Sequence, residues 1–127
     1  MFPVFLTFDE VLEIHRDQIA RYGGAQGIRD LGLLQSALAQ PAAMFGSQYL
    51  HADLFEMAAA YLFHIVQGHP FVDGNKRVGT VAAIVFLELN NVELNVPEND
   101  LEALVLDVAQ GQADKARIAA FFRQHVT

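Results

Sequence analysis

The segment KRVGTVAAIVFLEL, residues Lys76–Leu89, carries apolar side chains on nearly every side of a helix. A helix of this kind packs against neighbours all round, not along one stripe alone. We therefore predict that it is a buried helix at the centre of the fold, ended by Asn90 and Asn91. Its apolar part is shorter than the ~20 residues that cross a bilayer and begins beside two cations, so we expect no membrane span.

Start and stop signals on both sides of this segment predict five further helices. Thr7 and Glu10 have the spacing of a capping box, and Gly23 with Gly24 ends the helix that follows. The remaining predicted helices are Asp30 to Leu38, stopped by Pro41; Asp53, in a capping box with Glu56, to about Val66; roughly Asp100 to Ala109; and Asp114 to His125.

Strand signals are few. Extended backbone is expected in only three places: Phe2–Leu6, the loop around Tyr49 and the piece Val92–Val96. The chain of 127 residues has no repeat, low-complexity tract or linker that would divide it. We therefore predict an all-α fold, a compact six-helix bundle around a buried central helix, in a single domain over residues 1–127.

Composition limits the function classes. Hydrophobic residues make up 53% of the chain, which argues against disorder. The net charge of −7 repels phosphate backbones, so direct binding of nucleic acid is not expected. The absence of cysteine excludes disulfides and thiolate zinc sites. The N-terminus lacks the basic region of a signal peptide, and we expect a cytoplasmic protein.

Polar residues that support chemistry are concentrated in HPFVDGNKR, residues His69–Arg77, at the start of the central helix. Unpaired amides and the positive end of the helix dipole make such a place an anion site. Gly74 lets the chain turn tightly there, and Asn75 is a favoured N-cap type. Lys76 and Arg77 oppose the dipole, so the two cations indicate an anionic partner.

Two further residues complete a catalytic set. Asp73 offers the hard oxygen ligands that Mg²⁺ prefers when it also binds substrate phosphates. His69 can accept a proton near neutral pH. Each of these residues alone is more often a cap or a surface charge, and only their combination favours phosphoryl or nucleotidyl transfer to a hydroxyl. A P-loop is excluded because five residues separate Gly68 from Gly74, where that motif has four.

The segment HPFVDGNKR resembles the signature of the Fic/Doc family, H-P-F-x-[DE]-G-N-[GK]-R, at every fixed position. Tyr22–Gly24, Gly27–Asp30 and Leu54–Ala58 are similar to the death-on-curing branch, so the resemblance covers nearly the whole chain. It implies the following roles: His69 as general base towards a target hydroxyl, Asp73 as Mg²⁺ ligand, Gly74, Asn75 and Lys76 as anion hole, Arg77 as phosphate ligand, and Pro70 and Phe71 as support of the loop.

Lys76 bears on the reaction that the resemblance implies. Members that transfer AMP mostly have glycine at this position, whereas the Doc toxins have lysine and are kinases acting on a threonine of translation elongation factor Tu. We therefore expect a toxin that uses ATP and Mg²⁺ to phosphorylate a protein hydroxyl and so inhibits translation. Pro70 and Gly74 follow the wider family, so AMP transfer remains the alternative. A catalytically inactive interaction module and a metal-dependent phosphohydrolase are the other hypotheses.

Regulation is expected to come from a partner. Many Fic enzymes carry an inhibitory helix reading [ST]-x-x-x-E-[GN], and no serine or threonine here is followed by glutamate at the fourth position. The resemblance thus implies a separate antitoxin. It also implies that Gln40–His51 is a flap that holds the target by strand-like pairing. Of the other histidines, His15, His51 and His125 could be recruited as ligands or bases, and His64 is predicted to be a core or boundary residue.

Overall fold

The computed structural model describes residues 2–127, which are mostly helical. The helices are α1 Phe8–Tyr22, α2 Leu31–Ala39, α3 Leu54–Gly68, α4 Asn75–Leu89, α5 Glu98–Ala109 and α6 Lys115–Gln124. Between α2 and α3 lie a 3₁₀ turn, Gln40–Ala42, and an antiparallel hairpin of β1 Met44–Phe45 with β2 Gln48–Tyr49. The predicted all-α class with six helices is confirmed, and no helix within residues 2–127 has the length and apolarity needed to cross a membrane.

The helix at the centre of the fold is α3. It packs against α2, the 3₁₀ turn, α4, α5 and α6, and its residues 57–62 are all buried. The expectation that Lys76–Leu89 occupies the centre was wrong, since α4 leaves Leu89 exposed and Val81 and Val85 only partly covered. The sequence favoured α4 because its apolar side chains are large. The alanines at positions 58–60 of α3 add little hydrophobicity, but their small size lets neighbouring helices approach closely.

Helices α3 and α4 form the tightest pair of the bundle at Gly79. A Cβ atom built on Gly79 would lie 2.9 Å from Cγ2 of Val66 and 3.2 Å from the Leu62 carbonyl oxygen. The backbone of α4 therefore rests directly on α3, at a distance that only glycine permits. Because the polar segment His69–Arg77 joins these two helices, this contact also fixes the distance that the segment has to span.

Most predicted helix starts are confirmed at the residue. Thr7 and Glu10 form the reciprocal capping box. Asp30, Asp53 and Asp114 each accept a hydrogen bond from the backbone amide three residues further on. The predicted capping box of Asp53 with Glu56 is wrong in its second half. The Asp53 side chain caps α3, but the Glu56 carboxylate lies 3.8 Å from the Arg123 guanidinium and does not return a hydrogen bond to the Asp53 amide.

Two helices begin earlier than the sequence pattern predicts. The N-cap of α4 is Gly74, and Asn75 is already the first helical residue. The N-cap of α5 is Pro97, with Glu98 as the first helical residue. Proline has a fixed φ that suits a helix start, so the acidic residues after it can join the first turn, where they also face the positive end of the dipole.

Of the three segments predicted to be extended, two form strand-like pairings and one does not. Phe2–Leu6 forms no strand, and the backbone of Val4 instead exchanges two hydrogen bonds, of 2.8 and 2.9 Å, with the Asn90 side-chain amide. The predicted extended piece near Leu94 is confirmed by an isolated bridge to Val126. The loop around Tyr49 forms the predicted extended edge as the short hairpin.

Candidate functional site

The polar segment lies at the junction between α3 and α4. His69 is the C-cap of α3, and Gly74 is the N-cap of α4. Gly74 has φ 79° and ψ 15°, a left-handed conformation that favours glycine. Since glycine has no side chain, no side chain at this position caps the first amides of α4. These amides are therefore available to an anion at the positive end of the helix.

The inner side of the loop is anchored by Phe71 and Asn75. Phe71 is completely buried. The Asn75 side chain, itself 8% exposed, donates to the Phe71 carbonyl and accepts from the Phe71 amide, both at 3.0 Å. The amide of Asn75 is thus committed to holding the loop, so only its backbone N–H can face a phosphate. The expectation that the Asn75 side chain caps α4 was wrong, because that side chain is bonded to the backbone of Phe71.

His15 of α1 packs against the buried side of the loop, a contact that the sequence does not predict. Its ring stacks on Phe71, with centroids 4.0 Å apart and planes inclined by 7°. Its Nε2 lies 3.0 Å from the Asp73 carbonyl oxygen. His15 is buried and lies four residues after Val11 and four before Ile19 on the inner face of α1. This spacing could have predicted that His15 is buried, and a buried histidine needs a hydrogen-bond partner.

A second loop, residues 25–30, lies along the first. The Ala25 amide donates to Oδ2 of Asp73 at 3.1 Å. The Val72 amide donates to the Gly27 carbonyl at 3.0 Å, and Ile28 and Phe71 form an isolated antiparallel bridge. The two loops are therefore paired through backbone hydrogen bonds, like two short antiparallel strands. Residues 27–30 resemble the death-on-curing branch in sequence, but no local signal in them predicts this pairing with residues 71 and 72.

Arg77 lies between the start of α4 and the carboxyl end of α1, with its Nη2 3.7 Å from the position of a Cβ atom built on Gly74. Its guanidinium donates to the carbonyl oxygens of Gln18 and Gly23, at 3.3 and 2.9 Å, and lies 5.5 Å from the centre of the Tyr22 ring. The negative carboxyl end of α1 thus offsets part of the charge that Arg77 brings to the positive end of α4. Of the two cations at the start of α4, only Lys76 therefore has no such partner among the described residues.

Three polar groups of the loop face solvent. His69, Asp73 and Lys76 are all exposed. The imidazole of His69 makes no hydrogen bond to any residue within 2–127, while Oδ2 of Asp73 is oriented by the Ala25 amide. An exposed imidazole, carboxylate and ammonium thus belong to the same short segment as the uncapped amides of α4. Groups of these types are the ones that phosphate binding and proton transfer use.

The donor set suits one kind of metal ion. Residues 2–127 contain no cluster of three or more His, Asp or Glu side chains placed to hold a metal ion on their own. Magnesium is commonly bound through one or two carboxylates together with substrate phosphates. The exposed Asp73 carboxylate, directly before the uncapped start of α4, is of the type that fits this requirement.

The histidines His51 and His64 belong to a different part of the molecule, beside Lys115 of α6. The Lys115 ammonium lies 3.3 Å from Nε2 of His64. Burial, followed by the charge of Lys115, lowers the pKa of His64 to about 4 and also lowers the pKa of His51. His64 is partly buried, as predicted for a boundary residue, and neither histidine joins the loop site.

The fold and the loop together define a helical bundle that presents an exposed histidine and an uncapped helix start at the two ends of one short loop. The family model described as "Fic/DOC family" matches residues 5–87. The chain belongs to this family. It is 32% identical to "Protein kinase doc" of Escherichia phage P1 over 117 residues, 91% of this chain and 90% of that protein. It is 38% identical to "Toxin Doc" of Mycolicibacterium smegmatis over 101 residues, 78% of each chain.

Proposed function

We propose that this protein is the toxin of a toxin–antitoxin pair, a kinase that uses ATP and Mg²⁺ to phosphorylate a serine or threonine hydroxyl of a target protein. The observation that carries the proposal is the loop, which places an exposed histidine and the uncapped amides of α4 on one short turn. The relatives described as a protein kinase and as a toxin support the choice of reaction and biological role. The proposed target is translation elongation factor Tu, and the proposed location is the cytoplasm.

The anion site would receive the phosphates of ATP. The backbone amides after Gly74 point to the N-terminus of α4, and Lys76 adds a flexible ammonium whose charge no described acid neutralises by an ion pair. Arg77 would reach the phosphate chain from the side of α1. Asp73 would hold Mg²⁺ against the same phosphates, and the ion would reduce their negative charge.

His69 would act as the general base. The target hydroxyl oxygen forms a bond to the γ-phosphorus while the bond from that phosphorus to the β–γ bridging oxygen breaks. The hydroxyl proton moves to the His69 imidazole, and ADP leaves with the bridging oxygen. An exposed imidazole without an internal hydrogen bond is free to accept that proton, and positioning with charge stabilisation supplies the rest of the catalysis.

An antitoxin is the proposed inhibitor. A groove of about 560 Å³ runs between α1, α4 and α5, and Lys76 and Arg77 line one part of it. Its floor includes Val81 and Val105, and Glu98 and Glu102 stand on the α5 side. A helical antitoxin segment with an apolar face and basic residues would fit this groove and cover the phosphate-binding residues at the same time.

Labelled ATP and purified elongation factor Tu test the proposal. Wild-type protein should transfer label from the γ-position, His69→Ala should transfer none, and His125→Ala, a matched histidine substitution at the end of α6, should behave as wild type. Transfer from the α-position would favour the AMP transferase. Release of phosphate without any acceptor would favour a phosphohydrolase, and partner binding without ATP that survives Asp73→Ala would favour an inactive interaction module.

A further inference from the structure

The carboxyl end of α3 is capped by a side chain from the distant 25–30 loop. The guanidinium of Arg29 donates through Nη2 to the Gly68 carbonyl at 2.9 Å and through Nε to the His69 carbonyl. The backbone amides of Arg29 and Asp30 donate to the Pro70 carbonyl at 2.8 and 3.0 Å. One dipeptide therefore holds three consecutive carbonyl groups, those of residues 68, 69 and 70.

The middle residue of the three has an unusual backbone. His69 has φ 48° and ψ 53°, a left-handed conformation that few non-glycine residues adopt and that costs on the order of 1 kcal/mol. The last carbonyls of a helix have no partner within the helix, and at the end of α3 the Arg29 guanidinium supplies one. Removing the guanidinium would take away the two side-chain hydrogen bonds that hold the carbonyl groups of Gly68 and His69 and so weaken the restraint on this conformation.

The backbone conformation of His69 sets the direction in which its side chain leaves the loop. Within residues 2–127 the histidine rings that form hydrogen bonds are those of His15, His64 and His125, so the exposed ring of His69 has its backbone as its anchor. A change of φ and ψ at this residue swings the Cα–Cβ bond and moves the imidazole with it. Misplacement by about 1 Å is enough to reduce a catalysed rate by about 100-fold.

We propose that Arg29 is a positioning residue for His69. It touches neither nucleotide nor acceptor and acts by holding the carbonyls on both sides of the histidine in place. Lysine cannot replace it fully, because a guanidinium presents several donors in a fixed planar fork and an ammonium is a single point of charge. This inference rests on the proposed role of His69 as general base.

Kinetics of Arg29 variants with γ-labelled ATP and elongation factor Tu test the inference. Arg29→Ala should lower kcat by about 10- to 100-fold while the KM for ATP changes less than about twofold, because the phosphate site on α4 is untouched. Arg29→Lys should recover part of kcat. Millimolar guanidinium, far below denaturing concentrations, should raise kcat of Arg29→Ala and leave the wild type unchanged.

The matched control is Arg16→Ala. Arg16 is an exposed arginine of α1 that pairs with Glu13 at 3.5 Å, so its removal makes the same change of charge away from the loop. Arg16→Ala should keep both kcat and KM. An unchanged kcat in Arg29→Ala, or an equal loss in both variants, would overturn the inference.

A measurement without turnover separates this inference from the proposed function. The Cα and Cβ chemical shifts of residue 69 should report positive φ in the wild type and lose that signature in Arg29→Ala. If the wild type transfers no label, the proposed function fails, and the shifts alone still decide whether Arg29 holds His69. A large fall in melting temperature in both Arg29 variants would also overturn the inference, since Arg29 would then support the whole fold.

Discussion

The contact between α3 and α4 at Gly79 gives the sharpest prediction about stability. The Gly79→Ala substitution adds a single methyl group, whose carbon would lie 2.9 Å from Val66 Cγ2, 3.2 Å from the Leu62 carbonyl oxygen and 3.5 Å from Ile65 Cβ. The first two distances are shorter than normal contacts. The carbonyl oxygen belongs to the backbone of α3, so relief requires the two helices to separate and not merely a side chain to rotate.

The size of the effect follows from two opposing terms. Overpacking of this kind destabilises by about 1–3 kcal/mol, whereas replacing glycine by alanine inside a helix stabilises by about 1 kcal/mol. We expect Gly79→Ala to lower the free energy of unfolding by about 1 kcal/mol. For a chain of this length the melting temperature should fall by about 4 °C.

Urea unfolding followed by circular dichroism measures this change, and two variants control it. Gly32→Ala is the matched substitution, because a Cβ there meets nothing closer than Asp30 Oδ1 at 3.4 Å, and it should be neutral or slightly stabilising. Val66→Ala together with Gly79→Ala should lose less stability than the sum of the single changes, since the clash with Val66 is removed. A Gly79→Ala protein more stable than wild type would refute the close-packing argument.

Substitutions at three further residues, His15, Asn75 and His64, give the remaining predictions. His15→Ala should lower the free energy of unfolding by about 2 kcal/mol and His15→Phe by less, because phenylalanine keeps the stack on Phe71 and loses only the hydrogen bond; urea unfolding distinguishes them. Asn75→Ala leaves two backbone groups of Phe71 without partners and should destabilise by about 1–3 kcal/mol in the same assay, whereas a wild-type curve would contradict its anchoring role. His64, whose pKa is lowered to about 4, stays neutral in the folded protein while the unfolded chain takes up a proton near pH 6.5. Stability should therefore be full above about pH 6.5 and fall towards pH 4, by about 1–2 kcal/mol after screening, and His64→Gln should flatten that part of the pH profile.

The parts of the fold that depend on local signals were predictable from the sequence. Caps at Thr7, Asp30, Asp53 and Asp114 mark helix starts because a short polar side chain satisfies an amide only three residues away. The polar character of the loop between α3 and α4 was also predictable, because its histidine, carboxylate and cations are close together in the sequence.

The two side chains that hold the loop in place from other parts of the fold could not be predicted from local sequence. His15 reaches the Asp73 carbonyl across 58 positions, and Arg29 reaches the His69 carbonyl across 40. Both contacts involve backbone carbonyl groups, which every residue has, so the sequence shows no pattern that pairs them. The same limit explains why Arg77 was interpreted as an uncompensated cation, since its partners are the carbonyl groups at the end of α1.

The intact mass of elongation factor Tu after incubation with ATP and this protein tests the central claim most directly. The account predicts that the mass rises by one phosphate group with the wild type and does not change with His69→Ala. An unchanged mass with the wild type, or a rise that His69→Ala leaves intact, would contradict the claim that the histidine on this loop drives phosphoryl transfer.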